Sequence, residues 1–256
     1  RGKCRYADGS SPPVVVAPKV ASSIRDSREV GSYLTSKGVK ILILAYYIWD
    51  YPYLVWPLVN EVGKDKPILC ISNNEGLYPG NVGLLATDGA LRQAGLRTHR
   101  IVGDFEDPKV QEALIKWVMA AEAAASLRGQ VYGMFGGHSM GMETGYFHLV
   151  PIQRAFGITT YQIDQLWLLK EMEKVDEAEV EEGFRWLTSL VKEVKYDGRM
   201  LTPETLKRQI RLYIAMKRVC EEWGFDFCGI KGQRDFTEHV CITDVAEMLM
   251  NDPYDW

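Results

Sequence analysis

The sequence predicts two consecutive α/β/α domains with mainly parallel sheets, of the Rossmann or flavodoxin-like kind. Short β-rich runs alternate with helical patterns, which is typical of parallel strands joined by right-handed crossovers. The first runs are nearly continuously apolar, as expected for strands buried on both faces. A chain of 256 residues accommodates two such domains. We place their boundary where a helix ends and a new strand begins, so the predicted domains are residues 1–127 and 128–256.

Six strands are predicted from apolar or β-branched runs bounded by polar and turn residues. In chain order they are Val14–Ala17, Lys40–Tyr46, Pro67–Ser72, Thr98–Val102, Gln130–Phe135 and Thr160–Ile163. Two long helices are the clearest helical patterns, one from Pro108 to near Gly129 and one from Pro203 to Gly224. Each has a polar capping residue and a proline at its start and a glycine at its end.

Composition narrows the class of protein. With 46% hydrophobic residues, 25% charged residues and a net charge of −4, the chain has the composition of an ordinary soluble globular protein. Lysine and arginine are scattered, so no nucleic-acid surface is indicated, and no apolar run approaches the roughly 20 residues of a membrane span. The cysteines lack metal-ligand spacing and indicate idle thiols in a reducing, cytoplasmic compartment: Cys4, Cys70, Cys220, Cys228 and Cys241.

A glycine-rich turn follows the predicted strand Gln130–Phe135. Residues 137–141 match the G-x-S-x-G nucleophile elbow of serine hydrolases, with Asp235 and His239 following in the right order. Against this interpretation, no oxyanion-loop segment precedes it, and the acid and base are only four residues apart. The alternative is a ligand-binding turn, in which Ser139 is a cap or donates a hydrogen bond to a sugar hydroxyl.

Two further segments are candidates for ligand contact. Five aromatic residues lie within Tyr46–Tyr53, at the carboxyl end of a predicted strand, where open α/β sheets bind their ligands. They would form either a stacking wall for a sugar face or an interface between domains or subunits. The second segment, Gly229–His239, is polar and punctuated by glycine, unlike a helix or strand, and is therefore a candidate binding loop.

The second segment carries a resemblance to a known family. Residues 232–239 (GQRDFTEH), 244–251 (DVAEMLMN) and 254–256 (YDW) are similar to the end of the second domain in the L-fucose isomerase family. Residues 127–129, 139–141, 156–157 and 163–164 are similar to the start of that domain. The resemblance covers roughly residues 30–256, and its tail motif is the specific part.

The resemblance implies an aldose–ketose isomerase, an intramolecular oxidoreductase that works through an ene-diol with a divalent metal, usually Mn²⁺. In the family the metal ligands, a Glu, an Asp and a His, all lie beyond the position that matches Trp256. We therefore expect the chain to be the N-terminal part of a longer enzyme, inactive alone, with no catalytic residue or metal ligand of its own. His239 matches a position outside the metal site. The expected partners are a monosaccharide and further copies of the chain, in a trimer or hexamer.

The resemblance also implies a set of substrate-binding residues. Met140 matches a methionine that lines the sugar pocket, and Trp49 matches a tryptophan that reaches into the pocket of a neighbouring subunit. Lys231 stands where the family typically has a sugar-contacting glutamine. The predicted set is Trp49, Ser139, Met140, Lys231, Gln233 and Arg234.

Two other functions stay open from the sequence. One is a serine hydrolase using Ser139. The other is a non-enzymatic sugar-binding module in which a cleft between two α/β domains closes on its ligand. The sequence beyond Trp256 would distinguish the isomerase from these two alternatives, because a Glu-containing strand followed by an Asp and a later His is expected only for the isomerase.

Overall fold

The computed structural model describes residues 4–6, 8–74, 80–138 and 141–252. It has an α/β fold whose sheets are parallel throughout the described residues, as predicted. The chain divides into two compact units, Arg1–Ser126 and Leu127–Trp256. Each unit contains one three-stranded sheet.

The first unit alternates helices and strands. A short 3₁₀ turn, Pro52–Leu54, precedes α2. The elements are α1 (Ile24–Ser36), β1 (Leu42–Tyr46), α2 (Val55–Val62), β2 (Ile68–Ser72), α3 (Gly80–Gln93), β3 (Thr98–Val102) and α4 (Pro108–Leu127).

The sheet of the first unit has the order β1-β2-β3, and its central strand is buried at all five positions. Side chains alternate between the faces of a strand, so Ile68 and Cys70 join the core formed with α1, α2 and α3. Leu69 and Ile71 point the other way and pack towards α4. The unit is therefore a three-layer α/β/α arrangement.

The second unit begins with a strand and is richer in helices. A short 3₁₀ turn, Glu143–Gly145, follows its first strand. The elements are β4 (Val131–Phe135), α5 (Leu149–Phe156), β5 (Thr159–Ile163), α6 (Gln165–Glu173), α7 (Glu177–Leu190), α8 (Pro203–Trp223), β6 (Phe227–Ile230), α9 (Asp235–His239) and α10 (Asp244–Met250). Its sheet has the order β5-β4-β6.

Helix α8 is the scaffold of the second unit. Thr202 caps its first turn, Pro203 begins it and Gly224 ends it in the left-handed region with φ 68°. These are the start and stop signals predicted from the sequence. Ten of its residues are buried, and all of them except Gln209 form one core with α6, α7, α10 and the inner face of the sheet. Hydrogen bonding to Cys228 and burial raise the pKa of the Cys220 thiol.

Several local predictions differ from the structure. The predicted strand Val14–Ala17 is wrong, because the segment makes no strand pairing; Val15 and Ala17 pack on the core while Val16 is exposed. Strand β6 was not predicted, and its last residues fall in the segment expected to be a loop. Part of that segment is also the short helix α9. The other predicted strands begin within two residues of the observed ones.

Two findings bear on the predicted state of the cysteines and on the predicted lack of a membrane span. All five cysteines are free thiols. In the described ranges, no helix combines the length and apolar character that crossing a membrane requires.

Candidate functional site

A sharp turn follows β4 at the carboxyl edge of the second sheet. Gly136 and Gly137 have φ values of 88° and 76°, in the left-handed region that favours glycine. A Cβ on Gly136 would lie 2.7 Å from the Gln165 side-chain nitrogen, and one on Gly137 would lie 2.6 Å from that of Gln162. The Gly136 amide donates to the Ile163 carbonyl at 2.7 Å. Both glycines are thus required by backbone geometry and by the amide side chains against them.

The segment after β6 is held on both sides. The Lys231 amide donates to the Phe135 carbonyl at 2.8 Å, and the Gln165 side chain donates to the Lys231 carbonyl at 2.6 Å. The Gly232 carbonyl accepts from the Thr237 amide at 3.0 Å and from its hydroxyl at 2.7 Å. With its backbone groups paired in this way, the segment presents its side chains from a fixed frame.

Between these two segments lies a cleft of about 480 Å³. This volume is within the range that holds a small molecule. The cleft lies at the carboxyl ends of β4 and β6, where parallel sheets bind ligands. Its lining comprises Tyr132, Met134, Gly137, His138, Gly145, Phe147, Gly229, Ile230, Lys231, Gly232, Gln233, Thr237, Thr243, Asp244 and Glu247.

The cleft carries charges of both signs. The Lys231 side chain is 19% exposed, and its Nζ lies 3.5 Å from Oδ2 of the exposed Asp235. On α10, the Thr243 hydroxyl donates to Oε1 of Glu247 at 2.5 Å. Burial raises the pKa of Tyr132, and the charge of Glu247 adds to this shift. The lining therefore offers a cationic donor and anionic acceptors, a combination that suits a neutral ligand with several hydroxyl groups.

A row of rings runs beside the cleft, and three of them, Tyr132, His138 and Phe147, line it. Tyr132 stacks on Phe227 at 5.1 Å between ring centroids and lies 6.2 Å from Phe147. His138 lies 5.8 Å from Phe147 and stacks on Tyr146 at 4.9 Å. The buried Nδ1 of His138 has no hydrogen-bond partner within the described chain. Sequence reasoning missed this row, and recognising β6 as a strand would have aligned Phe227 with Tyr132.

The predicted substrate residues of the second unit are only partly described. Lys231 and Gln233 both line the cleft. Arg234 is exposed beside them with φ 65° and ψ −106°, a backbone conformation rarely adopted outside glycine. Ser139 and Met140 lie outside the described residues.

Trp49 belongs to the first unit, in the segment after β1. Its ring is 46% exposed and lies 4.2 Å from that of Tyr51. Tyr51 in turn lies 5.7 Å from Tyr53. Of the five aromatic residues proposed for a stacking wall or an interface, Tyr46 ends β1 and is only 6% exposed, because its side chain belongs to the core. Burial raises the pKa of the Tyr46 hydroxyl.

The structure also bears on the two other kinds of site considered from the sequence, a hydrolase site and a metal site. Asp235 and His239 lie on the same short helix, α9, which places the acid and base suggested for a hydrolase one turn apart rather than on separate loops. For the described residues, no group of three or more His, Cys, Asp or Glu side chains is close enough to hold a metal ion. The described side chains therefore do not form the carboxylate and imidazole site that a Mn²⁺-dependent reaction requires.

Comparison with known proteins connects this fold to a family. The model of the first N-terminal domain of L-fucose isomerase matches residues 1–129. L-Fucose isomerases of Salmonella paratyphi B, Salmonella heidelberg and Salmonella schwarzengrund are each 26% identical to the chain over 286 aligned residues. These alignments cover 99% of this chain and 48% of each relative, so the chain spans about half the length of the curated relatives it matches.

Proposed function

Because the chain belongs to the L-fucose isomerase family, we propose that the protein containing it interconverts an aldose and its ketose, and that residues 1–256 supply part of the substrate envelope. The observation that carries the proposal is the cleft at the carboxyl ends of β4 and β6, whose lining can both donate hydrogen bonds to sugar hydroxyls and accept them. The substrate would be a monosaccharide of the L-fucose or D-arabinose type.

The chemistry of such an isomerase is a proton shift between two neighbouring sugar carbons through an ene-diol. A divalent metal, with Mn²⁺ the expected ion, polarises the sugar oxygens when it is bound. Since the described residues lack a suitable ligand set, we propose that its ligands come from elsewhere in the protein. No step of the reaction is assigned to a residue of this chain.

The residues of the chain are proposed to bind and orient the sugar. Lys231 can only donate hydrogen bonds, whereas the Gln233 amide can both donate and accept. The sheet edge holds the backbone of Lys231 through the Phe135 carbonyl and the Gln165 side chain. A fixed donor of this kind rewards a sugar hydroxyl at one position and penalises epimers that lack it.

Assembly is part of the same proposal. Tyr47, Trp49, Tyr51 and Tyr53 are each about half exposed in the first unit. Large exposed apolar patches are uncommon on monomers. We propose that this surface is covered in a closed homo-oligomer, a trimer or hexamer, in which Trp49 approaches the sugar site of a neighbouring copy.

The test is an isomerase assay of the intact protein containing this chain, with Mn²⁺, on L-fucose, D-arabinose and L-arabinose. Lys231→Gln should change the relative kcat/KM among these sugars by about tenfold, or about 1.4 kcal/mol, because the donor-only group becomes an amide. Unchanged ratios would remove Lys231 from the site. Sugar binding without turnover would favour a binding module, and labelling of Ser139 by a fluorophosphonate probe would favour a hydrolase.

A further inference from the structure

Glu247 is a cleft residue that sequence reasoning did not select. It is the fourth residue of α10, the helix that Thr243 precedes, and it shares the cleft lining with Lys231 and Gln233. Its backbone amide donates to the Thr243 carbonyl at 2.9 Å, and its carbonyl accepts from the Asn251 side chain at 2.7 Å. The helix therefore anchors the main chain of Glu247 while the side chain is exposed at the cleft.

The carboxylate of Glu247 is held in one orientation. The Thr243 hydroxyl donates to its Oε1 at 2.5 Å. Thr243 itself is only 6% exposed and packs tightly on Gly232, where a Cβ would lie 2.1 Å from the Thr243 hydroxyl oxygen. Because Thr243 cannot swing away without vacating this packed position, it fixes the carboxylate relative to the Lys231–Gly232 segment.

Most of the acceptor capacity of this carboxylate is unused. A carboxylate can accept about four hydrogen bonds, and the Thr243 hydroxyl supplies one. Within the described ranges, the Glu247 side chain has no ion-pair partner. The cation that shares its cleft, Lys231, lies 3.5 Å from Asp235 instead.

This arrangement selects a type of ligand. An anionic group entering the cleft would meet the like charge of Glu247 and of Asp244, which also lines it. A neutral hydroxyl can donate to Glu247, and a second hydroxyl can accept from Lys231. The pairing of an acceptor with a donor in one cleft thus matches a neutral polyhydroxy compound.

We propose that Glu247 is a specificity-determining residue that accepts a hydrogen bond from a hydroxyl of the sugar, with Thr243 as its positioning residue and Lys231 as the complementary donor. The inference rests on the proposed function, and it adds a sugar contact on α10 to the residues on the β4 and β6 edges. Its consequence is a preference for neutral sugars over the sugar acids of the same configuration.

The experiment compares Glu247→Gln with wild type in the intact protein, by kcat and KM for L-fucose and by saturation-transfer NMR of L-fucose and L-fuconate. Glu222→Gln is the matched control, since Glu222 is an exposed glutamate on α8 outside the cleft lining. We expect Glu247→Gln to raise KM at least tenfold with kcat within about threefold of wild type, and to strengthen L-fuconate binding relative to L-fucose. Thr243→Val should reproduce part of this change, and Thr243→Ser should retain wild-type behaviour.

The outcomes separate the two proposals. If wild type isomerises L-fucose and Glu247→Gln leaves KM and the fuconate preference unchanged, Glu247 has no contact with the sugar, and the proposed function stands. If wild type binds L-fucose without isomerising it and Glu247→Gln weakens that binding, the contact stands and the proposed function fails. If wild type neither binds nor isomerises the sugar, both fail. An equal loss in Glu222→Gln would also overturn the inference.

Discussion

At the carboxyl edges of both sheets, neighbouring groups pack closely against glycines, but these groups differ between the two units. In the first unit, a Cβ on Gly80 would lie 2.6 Å from the Tyr46 carbonyl oxygen, so the first glycine of α3 packs against the backbone that leads into the aromatic segment. In the second unit, Gly136 and Gly232 receive the polar side chains of Gln165 and Thr243.

This difference has a consequence for function. Backbone packed on α3 leaves the rings of the following residues half exposed, and the edge presents a surface. Polar side chains packed on glycine leave hydrogen-bonding groups beside an open cleft. Close approach to glycine thus accompanies an exposed aromatic surface in one unit and an open polar cleft in the other.

The strongest challenge to this comparison is Gly80→Ala. The added Cβ would meet the Tyr46 carbonyl, a backbone group that cannot rotate away. We expect a loss of about 2–3 kcal/mol in the free energy of unfolding of the first unit, and displacement of the aromatic segment. Native-state hydrogen exchange of peptides from β1 and β2, with peptides from β4 and β6 as the internal control, measures it. Unchanged protection in β1 would show that the segment yields easily.

The second prediction concerns Gly232→Ala. Its Cβ would lie 2.1 Å from the Thr243 hydroxyl oxygen, but the obstacle is a side chain. We expect a loss of about 1–2 kcal/mol in the free energy of unfolding of the second unit. Native-state hydrogen exchange of peptides from β6 and α10 measures this loss. Adding Thr243→Ala removes the obstructing atoms, so the double variant should be at least about 0.5 kcal/mol more stable than the sum of the single changes predicts. Additive effects would disprove the contact.

The elements that were predicted correctly share a local cause. Strand β2 and helices α4 and α8 are specified by a continuous apolar run or by capping residues close to them in the sequence. Strand β6 has only four residues, including Cys228 and Gly229, and therefore carries a weak β signal. The run Val14–Ala17 has the composition of a strand, but pairing needs a neighbour that local sequence does not supply.

The site was less accessible to prediction for a related reason. Lys231 and Gln233 were reached through the family motif. Gln165, which donates to the Lys231 carbonyl, is 66 residues away in sequence. Nothing local to Gln165 indicates that contact, because the order β5-β4-β6 brings the segments together. Glu247 was passed over because a glutamate in a short amphipathic helix is indistinguishable from a solvated one until Thr243 is seen to hold it.

The smallest expected effect is that of Gly89→Ala, and it has the opposite sign. Gly89 lies within α3, on the same helix as Gly80, but a Cβ there would have no heavy atom within 4 Å beyond its immediate surroundings. Alanine restricts the unfolded chain more than glycine does and favours the helix, so the first unit should gain about 0.5–1 kcal/mol.

Gly89→Ala and Gly80→Ala make the same chemical change in the interior and at the first residue of one helix. Helix propensity favours alanine by at most about 1 kcal/mol, so it cannot produce a destabilisation of about 2–3 kcal/mol at position 80. Opposite shifts in the protection of β1 and β2 would assign the requirement for glycine at position 80 to its contact with the Tyr46 carbonyl. Stabilisation by both substitutions would mean that the aromatic segment does not depend on that close approach. The exposed aromatic surface of the first unit would then have a cause other than the packing of backbone on Gly80. The proposed contrast with the cleft of the second unit would fail with it.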